Sequence, residues 1–333
     1  MDQQNTNGGI TSLMRVRPKK SSSEKKMGEK RGPGRPCKQP KKDPPQRRGI
    51  ITAPTAIENV VELTYDMPMI LKKLVQLFKL LSAKTLQFIF RREEVIIYAR
   101  DHQGSSRIRV RIDARRVNSY YVREPIEFGM NRAELELVLN RTNKDYTDFF
   151  LWLNETEFNK NVVLSVKDEV KATSRHTILL QMVYDRMTTE NDFLDENYTI
   201  KINLPGKYFK TTINDIKALT KDKITVQQES TASPIKITCF MDSKKINTEH
   251  ILPNNNQISV ASSLADGGTF WVELEINHIR PISSALLADR IDWFLDENKP
   301  TMFRAMLDNG VIEVKILTDI VDGRANQDNY VVG

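Results

Sequence analysis

The chain has 333 residues, 39% of them hydrophobic, enough for two ordinary domains with real cores. Charge is distributed unevenly: the first fifty residues carry fourteen Lys or Arg against four acids, net +10, while the whole chain is +7, so residues 51–333 are net −3. Two cysteines (Cys37 and Cys239), no run of eighteen apolar residues and no apolar N-terminal segment argue against a disulfide framework, a membrane span and secretion, and a reducing intracellular setting is expected.

Residues 1–52 read as a disordered basic tail. They hold six of the fourteen glycines, six of the fourteen prolines and no aromatic residue, too little apolar surface to offset the entropy of ordering. Within the tail, Lys30-Arg31-Gly32-Pro33-Gly34-Arg35-Pro36 is followed by Lys38, Lys41 and Lys42. Gly34-Arg35-Pro36 is similar to the centre of an AT-hook, in which an extended segment lies in the minor groove and arginine reaches its floor. Pro33 stands where such a hook has arginine, so two readings remain: A·T-selective binding, or a nuclear-targeting or non-specific phosphate-binding arm. Both point to nucleic acid or the nucleus.

From Val60 the pattern changes. A strand is expected at Val60–Tyr65, then a helix at Pro68–Leu81 with proline in its first turn. Strands follow at Thr85–Phe90, Val95–Ala99, Ser106–Ile112 and Ser119–Val122; the third alternates Ile108, Val110 and Ile112 with Arg107, Arg109 and Arg111. A second helix is expected at Arg132–Arg141, with Asn131 as N-cap and Glu134 completing a capping box. Asp148–Leu153, Val162–Val166 and Thr177–Val183 read as strands, and the polar, acidic stretch 184–197 as a connector between domains. The pattern then restarts. A strand at Tyr198–Leu204 leads to a helix at Gly206–Leu219. Strands are expected at Ile224–Gln228, Ile235–Phe240, Asn247–Leu252, Ile258–Ser262 and Phe270–Ile276, then a helix at His278–Ala288. Strands at Arg290–Leu295, Thr301–Leu307 and Val311–Leu317 close the second half. The pentapeptide Phe193–Asn197 recurs as Phe294–Asn298, at positions that are not equivalent in this map, and reads as coincidence.

No catalytic constellation stands out. His102, His176, His250 and His278 are far apart and lack metal-ligand spacing, and neither a phosphate loop nor a nucleophile elbow occurs. No cofactor or metal is expected, and the chain is read as a non-enzyme. The helices carry the other signal. In the first, Lys72, Gln76 and Lys79 share one face, flanked by Lys73, opposite Ile70, Leu74, Leu77, Phe78 and Leu81. In the third, Lys207, Lys210, Asn214 and Lys217 oppose Phe209, Ile213 and Ile216. The second helix adds Arg132 and Arg141 mixed with Glu134 and Glu136, and the fourth adds Arg280 beside His278. On residue type alone these stripes are equally an ordinary lysine-rich solvent face.

Ile70-Leu71-Lys72-Lys73-Leu74 with Lys79, Val95–Ala99 followed by Asp101, Pro205-Gly206-Lys207-Tyr208-Phe209, and Val311-Ile312-Glu313-Val314-Lys315-Ile316 resemble, in that order, segments of sliding clamps of the proliferating-cell nuclear antigen type. The resemblance spans roughly residues 57–320 and rests on order more than on any one motif. The basic tail ahead of such a body also resembles the clamp-like proteins of African swine fever virus and related large DNA viruses.

The resemblance implies an α+β DNA-clamp fold: two domains, each of two β-α-β-β-β units, with helices lining a ring channel and sheets outside. It divides the chain into a tail (1–52), domain 1 (53–183), a connector (184–197), domain 2 (198–320) and a C-terminal tail (321–333). It implies a homotrimeric sliding clamp and polymerase processivity factor, with no membrane partner. Duplex DNA would lie against Lys72, Lys73, Lys79, Arg132, Arg141, Lys207, Lys210, Lys217 and Arg280. DNA polymerase and other replication or repair enzymes would dock through short peptides, with or without a clamp loader. The peptide groove would involve Arg100, Phe193, Leu194 and Val314, with Arg100 departing from the family's apolar residue. Subunits would meet through Thr177, Ile178, Leu179 and Leu180 on one side and Asn247, Thr248, Glu249, His250 and Ile251 on the other. The implied setting is the host nucleus or a cytoplasmic viral factory. Two other readings stand beside the clamp: a DNA-binding structural or chromatin-associated protein whose β-rich body only oligomerises, and an enzyme with an unrecognised site.

Overall fold

The computed structural model describes residues 49–140, 146–154, 161–168, 174–181, 193, 197–220, 222–241, 246–253, 255–285 and 288–321. The first half runs β1 (Asn59–Tyr65), α1 (Pro68–Leu80), β2 (Thr85–Phe90), β3 (Glu94–Arg100), β4 (Ser106–Asp113), β5 (Ser119–Val122), β6 (Ile126–Asn131), α2 (Arg132–Asn140), β7 (Tyr146–Asn154), β8 (Asn161–Asp168) and β9 (Ser174–Gln181). The second repeats that order: β10 (Ile200–Pro205), α3 (Gly206–Leu219), β11 (Lys223–Gln228), β12 (Ile235–Met241), β13 (Ile246–Leu252), β14 (Ser259–Ser262), β15 (Phe270–Glu275), α4 (Ile276–Ala285), β16 (Arg290–Leu295), β17 (Thr301–Leu307) and β18 (Ile312–Thr318). Each half is therefore two β-α-β-β-β units with one short extra strand, β5 or β14, between them.

The expected helices and strands are present within a few residues, with one addition. β6 was not anticipated, because Pro125 and Gly129 break up a short run whose apolar residues are only Ile126, Phe128 and Met130. Tertiary pairing makes it a strand: it lies along β2 from Thr85↔Asn131 to Phe90↔Ile126.

The strands form one fourteen-stranded sheet, ordered β14-β10-β16-β17-β18-β4-β3-β2-β6-β9-β8-β7-β1-β5, and a four-stranded sheet, β13-β12-β11-β15. The halves are joined edge to edge where β18 pairs antiparallel with β4, from Ile312↔Ile112 to Thr318↔Ser106. A hairpin tip secures this seam. Asp308, Asn309 and Gly310 all have positive φ, Tyr65 donates to Asp308 Oδ2 at 2.8 Å, and Arg116 donates to the Asn309 carbonyl at 2.7 Å.

The main core lies between the sheets and the helices. In β4, Ile108, Val110 and Ile112 point into it, and in β16 Ile291, Trp293 and Leu295 do. Strand alternation then forces the intervening residues onto the opposite, outer face. α3 begins at a glycine because a Cβ on Gly206 would lie 2.1 Å from the Ala288 carbonyl oxygen. The ordered body starts earlier than residue 53: Gly49 N–H donates to the Val117 carbonyl (3.1 Å), Tyr120 N–H to Gly49 (3.0 Å) and Ile51 N–H to Tyr120 (2.8 Å). Gly49 has φ +67, and a Cβ there would meet the Arg115 carbonyl oxygen at 2.6 Å. The end of the predicted tail is thus part of the fold, held by backbone bonds that composition does not reveal.

Candidate nucleic-acid interface

The four helices found among the described residues pack in a row. α1 lies against α2 and α4, and α4 lies against α3, giving the order α2–α1–α4–α3. Amphipathicity builds the row. α1 buries Leu71, Leu74, Val75 and Phe78; α3 buries Phe209, Thr212, Ile213 and Ile216 at the same spacing. Aligned on those positions, Lys72, Gln76 and Lys79 correspond to Lys210, Asn214 and Lys217.

The cations differ in their engagement. Lys207, Lys210 and Lys217 on α3 and Arg280 on α4 are exposed. In the first half, Lys72 Nζ donates to the Asn140 carbonyl at the end of α2 (3.2 Å), and Lys79 Nζ pairs with Glu136 at 2.7 Å. Arg132 also pairs with Glu136, and its Nε donates to the Ala83 carbonyl at 2.9 Å. The Lys79 hydrogen bond, helped by Asn140 and Arg132, holds the Glu136 carboxyl below the usual carboxylate range against a modest opposing effect of burial. Lys73 is half-buried on α1. Arg141 lies outside the described residues, as do all the tail positions Lys30, Arg31, Gly34, Arg35, Pro36, Lys38, Lys41 and Lys42. Among the described residues no group of His, Cys, Asp and Glu could hold a metal ion.

The outer face of the long sheet is also rich in arginine, but there four of them are matched by acids. Arg107 pairs with Asp319 (3.2 Å), Arg109 with Glu313 (2.9 Å), Arg111 with Glu94, and Arg304 with Asp292 (Nε–Oδ2 3.0 Å). Burial works against ionisation of Asp292, yet hydrogen bonds from Asn203 and Arg304 outweigh it and depress its pKa. Arg107, Arg109 and Arg111 therefore belong to ion pairs across strands, on the side away from the helices.

On this outer face a second apolar cluster gathers Ile96, Tyr98, Phe193, Phe294, Met302 and Leu317. Phe193 is fully buried; its ring lies 6.1 Å from that of Tyr98 with Arg109 stacked over it at 5.6 Å, and its carbonyl accepts from Lys315 at 2.9 Å. Arg100 is exposed at the end of β3 on the same face, and Leu194 lies outside the described residues. Val314 does not belong to this site: it sits in the main core with Ile312 and Ile316, so β18 presents Glu313, Lys315 and Leu317 outward instead. Residue type alone did not single out Tyr98, Phe294, Lys315 or Glu136, although the alternation of β3 and β16 carried the signal for the first two. The first residues of the two pentapeptide copies, Phe193 and Phe294, both lie in this cluster.

Among the described strands that end a sheet or are only partly paired, two carry the residues expected at subunit contacts. β13 ends the four-stranded sheet, with β12 on one side only, and carries Asn247, Thr248, Glu249, His250 and Ile251. β9 pairs with β8 along Ser174–Leu179 and touches β6 only through Leu180 and Gln181. Thr177, Ile178 and Leu179 thus have a neighbour on one side, whereas Leu180 already pairs with Met130 inside the chain.

No family model matches the chain. Its fold is similar to that of proliferating cellular nuclear antigen from Entamoeba histolytica, with a TM-score of 0.67 over 79% of this chain and 99% of that one, at 14% sequence identity. The chain has a clamp fold. By sequence it is similar to an uncharacterized protein of African swine fever virus. In the Pig/Kenya isolate the identity is 25% over 305 residues, covering 88% of this chain and 98% of that protein. In the Vero-adapted Badajoz strain it is 25% over 292 residues, covering 84% and 94%.

Proposed function

We propose that this protein is a non-enzymatic sliding clamp that encircles duplex DNA, raises polymerase processivity and holds replication and repair enzymes there. One observation carries the reading. Exposed Lys207, Lys210 and Lys217 on α3 and Arg280 on α4 continue a helix row whose first half carries Lys72, Lys73, Lys79 and Arg132, on the side of the sheets opposite Arg107, Arg109, Arg111 and Arg304, which acids match; β13 and part of β9 offer open edges. Exposed cations without acids favour phosphate oxygens, and a repeated row presents them to DNA as a screened, sequence-independent attraction. In the trimeric ring, Thr177–Leu179 of one copy extends the sheet at Asn247–Ile251 of the next. DNA lies against Lys72, Lys73, Lys207, Lys210, Lys217 and Arg280, with Lys79, Arg132 and Arg141 beside them. The outer cluster around Tyr98 and Phe193, next to Arg100, is the docking place for short client peptides, and the basic tail supplies further DNA affinity.

The test is topological. Wild-type protein assembled on closed circular DNA should remain bound at a salt concentration that strips it from linear DNA, and cutting the circle should release it. Solution mass should show three copies. Equal retention on circles and cut DNA would favour the competing reading, a structural DNA-binding protein acting through its tail, for which the net charge of +10 in the first fifty residues is the motivating observation.

A further inference from the structure

All four cation–ring contacts found among the described residues fall on one patch, the outer apolar cluster. Arg109 lies over Phe193 at 5.6 Å, Arg304 and Lys201 over Phe294 at 5.5 and 5.2 Å, and Lys299 over Tyr198 at 5.4 Å. Strand pairing gathers them. Lys201 faces Phe294 between β10 and β16, and Lys315 of β18 faces Arg304 on β17 and Arg109 on β4. Arg100 stands at the end of β3, opposite Arg107.

The acids on this patch are already committed. Asp319, Glu313 and Asp292 match Arg107, Arg109 and Arg304, and the Asp296 carboxylate accepts from the Thr199 hydroxyl and the Asn298 N–H, each at 2.9 Å. Among the described residues Arg100, Lys201 and Lys299 pair with no carboxylate. Lys299 donates to the Asn197 carbonyl at 2.6 Å, and Lys315 to the Phe193 carbonyl. The patch is therefore cationic, although residues 51–333 are net −3. Its two phenylalanines lie beneath the cations, Phe193 at 0% and Phe294 at 3% exposure, so neither offers an open face on which a nucleic-acid base could stack. The chain's own two occupants show what the cluster accepts. Phe193 and Phe294 each begin the sequence Phe-Leu-Asp-Glu-Asn, and Glu190 and Asp192 precede the first copy.

We propose, on the reading that clients dock at this cluster, that it selects partner segments carrying an aromatic residue flanked by Asp and Glu, and that the partner's ring takes the slot Phe193 fills. A ring entering there lies under Arg109, as Phe193 does, and the carboxylates beside it meet cations that have no ionic partner. Phe193 belongs to the same chain and competes at a high effective concentration, so the wild type holds such a segment weakly. Charge then decides which segments succeed: a basic one meets repulsion from Arg100, Lys201 and Lys299, an acidic one attraction.

The probe is the free peptide Glu-Asn-Asp-Phe-Leu-Asp-Glu-Asn, the sequence of residues 190–197, added to the full-length protein and followed by broadening of its NMR signals. It should bind about tenfold or more tightly to Phe193→Ala than to wild type, and added salt should weaken it. The same peptide with its acids changed to lysine should bind about tenfold or more weakly. In both the wild-type and Phe193→Ala backgrounds, Lys201→Glu together with Lys299→Glu should lower the affinity for the acidic peptide by about tenfold. The wild-type background decides the matter if Phe193→Ala does not fold. A lysine peptide that binds as well as the acidic one, or a charge reversal without effect, overturns the acidic preference while the docking reading survives. Equal binding of the acidic peptide to wild type and folded Phe193→Ala overturns the exchange with Phe193. A single-stranded oligonucleotide that binds in place of the peptide, and is lost with Lys201→Glu, assigns the patch to nucleic acid and overturns the proposal. If neither peptide binds any of these proteins, the proposal and the docking reading fall together.

Discussion

On the proposed reading, Glu136 restrains the attraction of the first half for DNA, and releasing it gives a quantitative test of the channel assignment. Among the described residues, α1 and α2 carry Lys72, Lys73, Lys79 and Arg132 against Glu134 and Glu136, net +2 per copy, and Glu136→Gln raises this to +3. The substitution also frees two cations from one carboxylate. The pairs are near the surface, with Lys79 58% exposed, so each contributes about 0.2–1 kcal/mol to folding and the melting temperature should fall by no more than a few degrees. The binding change should be larger. Each phosphate newly neutralised steepens the dependence of log affinity on log salt by about 0.9, so two released cations predict a slope steeper by about 1–2 for each copy engaged. Fluorescence anisotropy with a short duplex, titrated across a salt series, measures this directly. Adding Lys79→Ala to the Glu136→Gln protein should remove about half of the gain. An unchanged or shallower slope in a folded Glu136→Gln protein would mean that Lys79 and Arg132 do not face DNA. Unimpaired binding by the Lys210→Ala, Lys217→Ala double variant would reject the channel as a whole.

Other outcomes follow from the same structure. Deleting residues 1–48, which spares the Gly49 anchor, should weaken DNA binding and flatten its salt slope without changing the mass of the assembly. Replacing Lys207, Lys210 and Lys217 together with alanine should shift stability by about 0.5 kcal/mol or less per site, yet shorten polymerase products in a primer-extension assay. Phe193→Ala should cost about 3–5 kcal/mol of the stability of its cluster, seen as a lower melting temperature. Asp292→Asn should lower stability at neutral pH by about 1–3 kcal/mol, because Arg304 loses its ionic partner there. Because the folded-state pKa of Asp292 is depressed, the wild type keeps this contribution above the usual carboxylate pKa and loses it as pH falls through the lower folded value; urea melts of the two proteins should converge in that acidic window.

Much of the fold was legible in the sequence because its strands alternate cleanly. Arg107, Arg109 and Arg111 against Ile108, Val110 and Ile112 state the two faces of β4 outright, and the spacing of Leu71, Leu74, Val75 and Phe78 does the same for α1. β6 was hidden because its pairing with β2, more than its composition, makes it a strand. The basic stripes were visible as stripes, but their chemical state was not. Nothing local says that Glu136 holds both Lys79 and Arg132, or that Lys72 caps the end of α2, since these contacts join residues far apart in the chain. Val314 shows the complementary failure: expected at a groove wall by resemblance, it lies in the main core, one position from the outward Lys315, because alternation along the strand decides the face. Gly49 was absorbed into a run of tail glycines, although its positive φ and its bonds to β5 make it the first fixed point of the body.

The hairpin tip at Asp308–Gly310, gripped by Tyr65 and Arg116, has a consequence for stoichiometry. If copies join as the halves do, the angle set at this seam is propagated at every joint, and closure depends on all the joints agreeing. A heterologous contact closes only at the curvature that returns to its start; otherwise it runs on as an open arc or filament. Loosening the tip, for example with Tyr65→Phe and Arg116→Ala, should leave each half folded but broaden the distribution of assemblies from a single mass to several. The turn that fastens two parts of one polypeptide would then also act as the gauge that decides how many polypeptides make a circle.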